Sequence, residues 1–413
     1  MTRYAVIVDP YSTGQEYPVA FRQAGCSPVA VTTSARPPDA FVPSWHPENF
    51  DHVHVYEGDL DKLARELDVY RPDYLVPGAE SGVELAEALA GTLAAGSGNL
   101  PELAGARRDK WEMVQALARA GVPHLRQVCT DNPAVVARWL GDTRLASEPV
   151  VLKPPRSGGT DNVYLVAAGA DWRPAFDAIL GQANVFGERN DAVLVSEFAA
   201  GTEFLVDTYS VDGRHGLVDV CRYTKLIRGD RIGIYDCVEF LPPDHADVAA
   251  VWPYTKRVLD AVGIRNGCGH VEVMLTPAGP RLIEIGARPA GGGHQMISEI
   301  ATGDNHIKRT VAHRERGEFK ESYELVQHLR GVFIPSPAAG IWRNAEVFAS
   351  VDSLPTFYAK NFPHGTGDRV RATDSLFTFL AWVIITSPDK AAVDRDYAQI
   401  KEWEGLIQVD PVP

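Results

Sequence analysis

The sequence predicts an α/β protein, α+β in part, whose middle third carries the chemistry. Three observations predict it. Over the first hundred residues short apolar runs alternate with helical spacings. The middle is built of hairpins that carry lysines and glutamates, and the tail is rich in strand patterns and closes on one helix. A chain of 413 residues is long for one core. We divide it into an N-terminal α/β domain over 1–98, a catalytic region over 99–315 and a β-rich domain over 316–413.

The bulk numbers set limits on function. With 45% hydrophobic and 23% charged residues, the composition is that of an ordinary globular protein. A net charge of −14 argues against nucleic acid as a partner, yet one local cationic pocket suffices for a small anion. Cys26, Cys129, Cys221, Cys237 and Cys268 are scattered, odd in number and form no CxxC pair. That argues against a disulfide framework and a zinc site, and favours a reducing cytoplasm. No stretch approaches a membrane span, and Met1–Pro10 lacks the basic and apolar regions of a leader.

Taken in order, Tyr4–Val8 reads as a strand, Asp9–Gly14 as a loop, Tyr17–Ala24 as a helix stopped by Gly25, and Pro28–Val31 as a second strand. Leu60–Leu67 and Val83–Leu93 have helical spacing on either side of a short strand, Tyr74–Val76. Loops that follow strands in an open sheet commonly hold ligands, which singles out Asp9–Gly14 and Gly78–Gly82 with Glu80. Neither loop matches GxGxxG, so no dinucleotide site is expected. A small, polar stretch, Gly91–Gly98, marks the first boundary. Asp109–Ala120 then reads as a helix closed by Gly121, with Lys110 in its first turn, where the helix dipole disfavours a cation. Such a lysine is either exposed or held for a phosphate.

Val150–Leu152 is a buried-strand run followed by Lys153 and the loop PPRSGGTDN, before Val163–Leu165. Ser157, Gly158, Gly159 and Thr160 offer backbone N–H groups and hydroxyls to an anion, although the Walker pattern is absent. Ala192–Glu197 and Glu203–Ser210 are strands joined by a break at Phe198–Gly201, a crossover able to wrap an adenine with Glu203 in reach of a ribose. Tyr223–Tyr235 is cationic, either a solvated hairpin or a loop over a substrate. Asp244–Val262 reads as a helix with Asp244 as its N-cap and Gly263 at its end.

The most informative stretch is His270–Gly293. His270–Leu275 and Arg281–Ile285 alternate as two strands around a Thr-Pro-Ala-Gly-Pro turn. Setting Leu275 opposite Arg281 places Val273 opposite Ile283, Glu272 opposite Glu284 and Val271 opposite Ile285. Two opposed carboxylates need a proton, a strong cation or a metal. Arg288 and a run of three glycines follow. Beyond them come a basic segment, Ile307–Arg316, strands at Val332–Ile334, Ala345–Val351, Asp368–Val370 and Leu376–Ile385, and a helix over Asp389–Trp403.

The ordered set Lys110, Lys153 with its glycine loop, Ser196–Glu203, Glu272, and Glu284 with Arg288 resembles the ATP-grasp family of carboxylate–amine ligases. The resemblance covers nearly the whole chain and is strongest to bacterial L-amino-acid ligases, which make dipeptides. It implies the ATP-grasp fold, ATP, and Mg2+ as two ions, with Mn2+ as an alternative. It puts Lys110 and Lys153 on the nucleotide phosphates, the Ser157–Thr160 loop over them, the backbone of Glu197 and Ala199 on adenine, and Glu203 on the ribose. Glu272 and Glu284 would ligate the metal. Arg288 would bind the substrate carboxylate and the charge that develops on it, which makes Arg288 and Lys153 the catalytic residues. Glu80, Gly292 and His294 would join Arg288 around the substrate.

The implied reaction is attack of a carboxylate on the γ-phosphate, giving an acylphosphate and ADP, and displacement of phosphate by an amine. Alternatives are a ligase for a non-amino-acid or purine-pathway carboxylate, a phosphotransferase that stops after the first step, and a nucleotide-binding module without turnover. Homodimers are common in the family. One departure stands out: many relatives have an asparagine ligand two residues after the second glutamate, and this chain has Gly286. His270, opposite it, is a candidate replacement ligand. His270 and His294 are also the candidates for a general base.

Overall fold

A parallel sheet in the order β3-β2-β1-β4 opens the chain, built from β1 (Arg3–Val8), β2 (Cys26–Thr32), β3 (His52–Val55) and β4 (Tyr74–Pro77). The computed structural model describes residues 2–93, 98–228, 231–373 and 378–411, so part of the Gly91–Gly98 boundary and of the Leu376–Ile385 strand lies outside it. Helix α1 (Tyr17–Gln23) packs with Ala5 and Ile7, while α2 (Leu60–Asp68) and α3 (Val83–Leu93) pack with Val6 and Val8 on the other face. Covering on both faces is why the central strand is uniformly apolar. The two loops singled out in the sequence lie together at the strand ends, where Gly78 N donates to Val8 O at 2.7 Å.

Helix α4 (Lys110–Arg119) is capped by Asp109, whose carboxylate accepts from Trp111 N at 2.8 Å. An antiparallel sheet follows in the order β5-β8-β6-β7, from β5 (Gln127–Thr130), β6 (Val150–Lys153), β7 (Tyr164–Val166) and β8 (Val193–Glu197). Helices α5 (Pro133–Asp142) and α6 (Arg173–Ile179) share a core with it.

The third unit contains β9 (Thr202–Val211), β10 (Arg214–Arg228), β11 (Arg231–Phe240), helix α7 (Ala246–Ala261), β12 (Gly267–Thr276), β13 (Gly279–Gly286), helices α8 (His294–Thr302) and α9 (His306–Arg316), and β14 (His328–Ile334). After these come β15 (Gly340–Trp342), β16 (Phe357–Asn361), β17 (Arg369–Val370), β18 (Ala381–Ser387), helix α10 (Lys390–Glu404) and β19 (Val409–Asp410). One antiparallel sheet runs β13-β12-β9-β10-β11-β14-β18-β16, so strands on both sides of residue 316 share it. A small sheet, β17-β15-β19, lies beyond.

Three expectations are corrected. Ala345–Val351 is not a strand but two 3-10 turns, Ala345–Phe348 and Val351–Ser353. Phe348 and Val351 both enter the terminal core, and a three-residue spacing suits a helical turn rather than a strand. His245, not Asp244, caps α7, its Nδ1 accepting from Asp247 N at 3.2 Å. The β12–β13 register shifts after Glu272, so that Val273 faces Leu282 and Leu275 faces Pro280.

Gly201, in the crossover between β8 and β9, lies against the tip of the β12–β13 hairpin. A Cβ there would stand 2.3 Å from the Leu275 carbonyl oxygen. Gly201→Ala is therefore expected to destabilise the protein by about 1–3 kcal/mol in a denaturant titration, through backbone overlap that no rotamer relieves.

Candidate active site

The site is laid out by the alternation of β12. Val271 and Val273 enter the core beneath α7 together with Leu282 and Ile285. His270 and Glu272 lie on the opposite face. Glu272 stands directly across from Glu284, Val271 from Ile285 and His270 from Gly286, as expected. The shift in register makes Ile283 an extra residue, a β-bulge. The bulge lets Leu282 and Ile285, three apart, share the core while Glu284 stays opposite Glu272. It also brings the Ile283 carbonyl to the Lys153 ammonium, at 3.4 Å.

Two lysines reach the carboxylates from separate elements. Lys110, at the start of α4, is buried rather than exposed. Its Nζ lies 3.0 Å from Glu284 Oε2 and donates to the Ser157 carbonyl at 2.6 Å. Lys153 is buried at the end of β6, where desolvation and then the neighbouring Lys110 charge lower its pKa to about 8.

The two glutamates are consequently unequal. Burial and then the Glu284 charge push Glu272 well above the usual carboxylate range. Burial acts the same way on Glu284, but Lys110, Lys153 and Arg288 outweigh it and hold Glu284 below that range. Two oxygen-donor side chains, half-buried, opposed and incompletely neutralised, fit a hard divalent cation.

The loop after Lys153 is folded over this centre. Gly159, Thr160 and Asn162 have positive φ, and the Ser157 hydroxyl donates to Asp161 Oδ2 at 2.8 Å. Gly158 faces Phe186, whose ring stacks on Phe41 from the first unit at 5.9 Å. Arg156 joins the same unit through Glu84 at 2.8 Å. On the other side, the Glu197 carboxylate turns to Arg126, with Nε at 2.7 Å, and the Glu197 backbone N–H donates to the Arg126 carbonyl at 3.0 Å. Glu203 pairs with Lys225 of β10 at 2.5 Å, and that ammonium lies 4.5 Å from the centre of the Tyr235 ring.

Arg288 Nε donates to Glu80 Oε2 at 2.9 Å, so a residue from the loop after β4 meets the segment after β13. That pair fills the space beside Gly286, where a Cβ would stand 2.9 Å from Glu80 Oε2 and 3.2 Å from Arg288 Nε. An asparagine at 286 would press on both groups. His270 is not free to replace it through Nδ1, which is 2.8 Å from Asp207 Oδ1. Gly292 is exposed in the glycine run ahead of α8.

His294 is placed differently from the substrate contact implied for it. It is buried, stacks on Phe240, and its Nε2 meets Asp219 Oδ1 at 3.1 Å and Asp207 Oδ2 at 3.4 Å. Burial opposes its charge, but the two carboxylates prevail and raise the imidazole to about 9. Its Nε2 is thereby engaged with carboxylates of β9 and β10, which ties α8 to the sheet. Sequence reasoning also passed over Arg108, Asp207 and Lys225 as individuals. The visible signals were the Arg-Arg-Asp-Lys run before α4 and the cationic 223–235 segment.

The asymmetry of the pair is testable without metal. In the presence of a chelator, Glu272→Gln is expected to raise the melting temperature and Glu284→Gln to lower it, since the second change strands two buried cations. A carboxyl whose pKa is raised by folding weakens the fold as pH rises past its ordinary range. The advantage of Glu272→Gln should therefore widen from pH 5 toward neutrality, as read by differential scanning calorimetry.

Comparison with known proteins identifies the family. Residues 146–297 match the model of an ATP-grasp domain. The chain is 30% identical to dapdiamide A synthase of Enterobacter agglomerans over 97% of its own length and 95% of that protein. It is 24% identical to an L-arginine-specific L-amino acid ligase of Bacillus subtilis, over 46% of this chain and 45% of that one. The crystal structure of an L-amino acid ligase from Bacillus licheniformis superposes with a TM-score of 0.71 at 16% identity, covering 100% of this chain and 99% of that one. Among the described residues no helix is long and apolar enough to cross a membrane. The lysine pair, the opposed glutamates and the full-length likeness place this chain in the ATP-grasp family, as an ADP-forming carboxylate–amine ligase acting on small molecules.

Proposed function

We propose that the protein joins the carboxylate of an L-amino acid to the amine of a second amino acid or amino-acid derivative. The names of its relatives support amino-acid substrates, since dapdiamide A synthase and L-amino acid ligase both stand among them. The observation that carries the reading is the half-buried, opposed Glu272–Glu284 pair facing the buried Lys110 and Lys153, with Arg288 acting on the Glu284 charge.

In this reading Lys110 and Lys153 leave the carboxylates for the nucleotide phosphates, and the Ser157–Thr160 loop adds backbone and hydroxyl donors. Glu197 and Ala199 line the base through their backbone, and Glu203 exchanges Lys225 for the ribose hydroxyls. Glu272 and Glu284 would hold Mg2+, the second of two ions resting on Glu284 and water because Gly286 offers no ligand. When bound, the metal supplies charge neutralisation at the phosphates. Arg288 orients the attacking carboxylate, then faces the negative charge of the tetrahedral intermediate, with Glu80 and Gly292 beside it. Positioning and electrostatics carry most of such a phosphoryl transfer, and these groups supply both. We place the protein in the cytoplasm, where scattered, unpaired cysteines stay reduced. A homodimer belongs to the same proposal and is read by sedimentation equilibrium.

The test is release of ADP and phosphate from ATP and Mg2+ with pools of L-amino acids. Release that requires two amino acids is expected. A stable phosphorylated product from one amino acid, without free phosphate, would reject the ligase in favour of a phosphotransferase. Lys153→Ala, Glu284→Gln and Arg288→Ala are each expected to lower turnover by about 100-fold or more while circular dichroism is unchanged. Wild-type turnover in any of them contradicts the assignment.

A further inference from the structure

Arg288 is held by one oxygen of Glu80, and a second guanidinium stands beside the other. Arg108, just ahead of α4, has a side chain only 2% exposed. Its Nη2 meets Glu188 Oε2 at 3.2 Å, and its Cζ lies 5.0 Å from the centre of the Phe186 ring. Its Nη1 is buried and reaches no hydrogen-bond acceptor among the described residues, with Glu80 Oε1 4.0 Å away. A guanidinium keeps its protons, so this N–H group stays a donor facing a carboxylate that it does not quite touch.

We propose that Glu80 is an exchangeable partner of two arginines: a substrate carboxylate takes its place on Arg288, and Glu80 passes to Arg108 Nη1. The inference rests on the reading that Arg288 receives the substrate carboxylate. Closing 4.0 Å to a hydrogen bond of about 2.9 Å asks for a movement of roughly 1 Å, within a side-chain adjustment. Gly286 leaves the room for the resting pair, because any Cβ at that position would crowd both Glu80 Oε2 and Arg288 Nε.

The donors also match. Arg108 Nη2 stays with Glu188 while its open Nη1 takes Glu80, so Glu188, Glu80 and the substrate carboxylate each keep a guanidinium N–H. Without Arg108, two carboxylates would compete for Arg288 and repel one another. Arg108 is therefore a positioning residue, acting on the substrate through Glu80.

The experiment uses the full-length protein labelled with 15N-arginine, its Nε–H signals assigned through Arg108→Lys and Arg288→Lys. Sodium acetate is the carboxylate probe, titrated against sodium chloride at equal ionic strength. The expected result is that the Arg288 and Arg108 signals shift on one common isotherm, and that in Glu80→Gln only Arg288 responds. A shift of Arg288 alone in the wild type overturns the exchange. No acetate-specific shift at Arg288 rejects the underlying reading instead.

Turnover gives an independent check with the amino-acid pair that is fastest in the pooled assay. Arg108→Gln should raise KM for the carboxylate substrate about tenfold with kcat nearly unchanged, and Arg108→Lys, which keeps a cation beside Glu80, should recover most of the rise. An unchanged KM in Arg108→Gln, or an equal defect in Arg108→Lys, overturns the proposal.

Discussion

The structure turns on the opposition of two half-buried carboxylates on adjacent strands. Glu272 and Glu284 face one another across adjacent strands, and cations reach only one of them closely. This explains why a lysine begins α4. A cation in the first helical turn opposes the dipole by about 0.3–1 kcal/mol. Attraction to a carboxylate near 4 Å is on the order of 4 kcal/mol in a protein-like dielectric, before desolvation is counted. Lys110 is thus placed for Glu284 and for the phosphate loop, at a small expense to its own helix.

The same constraint orders the elements around it. The bulge at Ile283 keeps the core under α7 filled without moving Glu284 from Glu272, and it turns a carbonyl toward Lys153. The first unit closes the site from the other side, with Glu80 on Arg288, Glu84 on Arg156 and Phe41 on Phe186. Gly286 departs from the asparagine that the family resemblance led us to expect, and the packing around it explains the glycine. Its missing side chain leaves the space in which Glu80 and Arg288 meet.

Much of this was legible in the sequence, and the rest failed for identifiable reasons. Strict alternation on both sides of a turn fixed the facing of Glu272 and Glu284, because a wrong register would expose Val271 and Ile285. It could not reveal the bulge, since an extra residue leaves each strand's own pattern plausible. Ala345–Val351 misled because its apolar residues admit either period, and only the packing of Phe348 with Val351 selects the turn. Arg108 and Lys225 were hidden for a different reason. Charged residues are usually solvated, but Arg108 is buried by Glu80, Phe186 and Glu188 from distant parts of the chain, and Lys225 is drawn in by Glu203 on the adjacent strand. His294 sits beside the glycine run in sequence, yet Asp219 and Asp207 draw it into the sheet.

If the opposed glutamates are the metal platform, Mn2+ should report on them directly. Electron paramagnetic resonance of Mn2+ titrated into the protein with ADP, and displaced by Mg2+, measures that binding. The account predicts tight, Mg2+-competitive binding in the wild type and its loss in both Glu272→Gln and Glu284→Gln, with either folded variant. Unchanged Mn2+ binding in the two variants would contradict it.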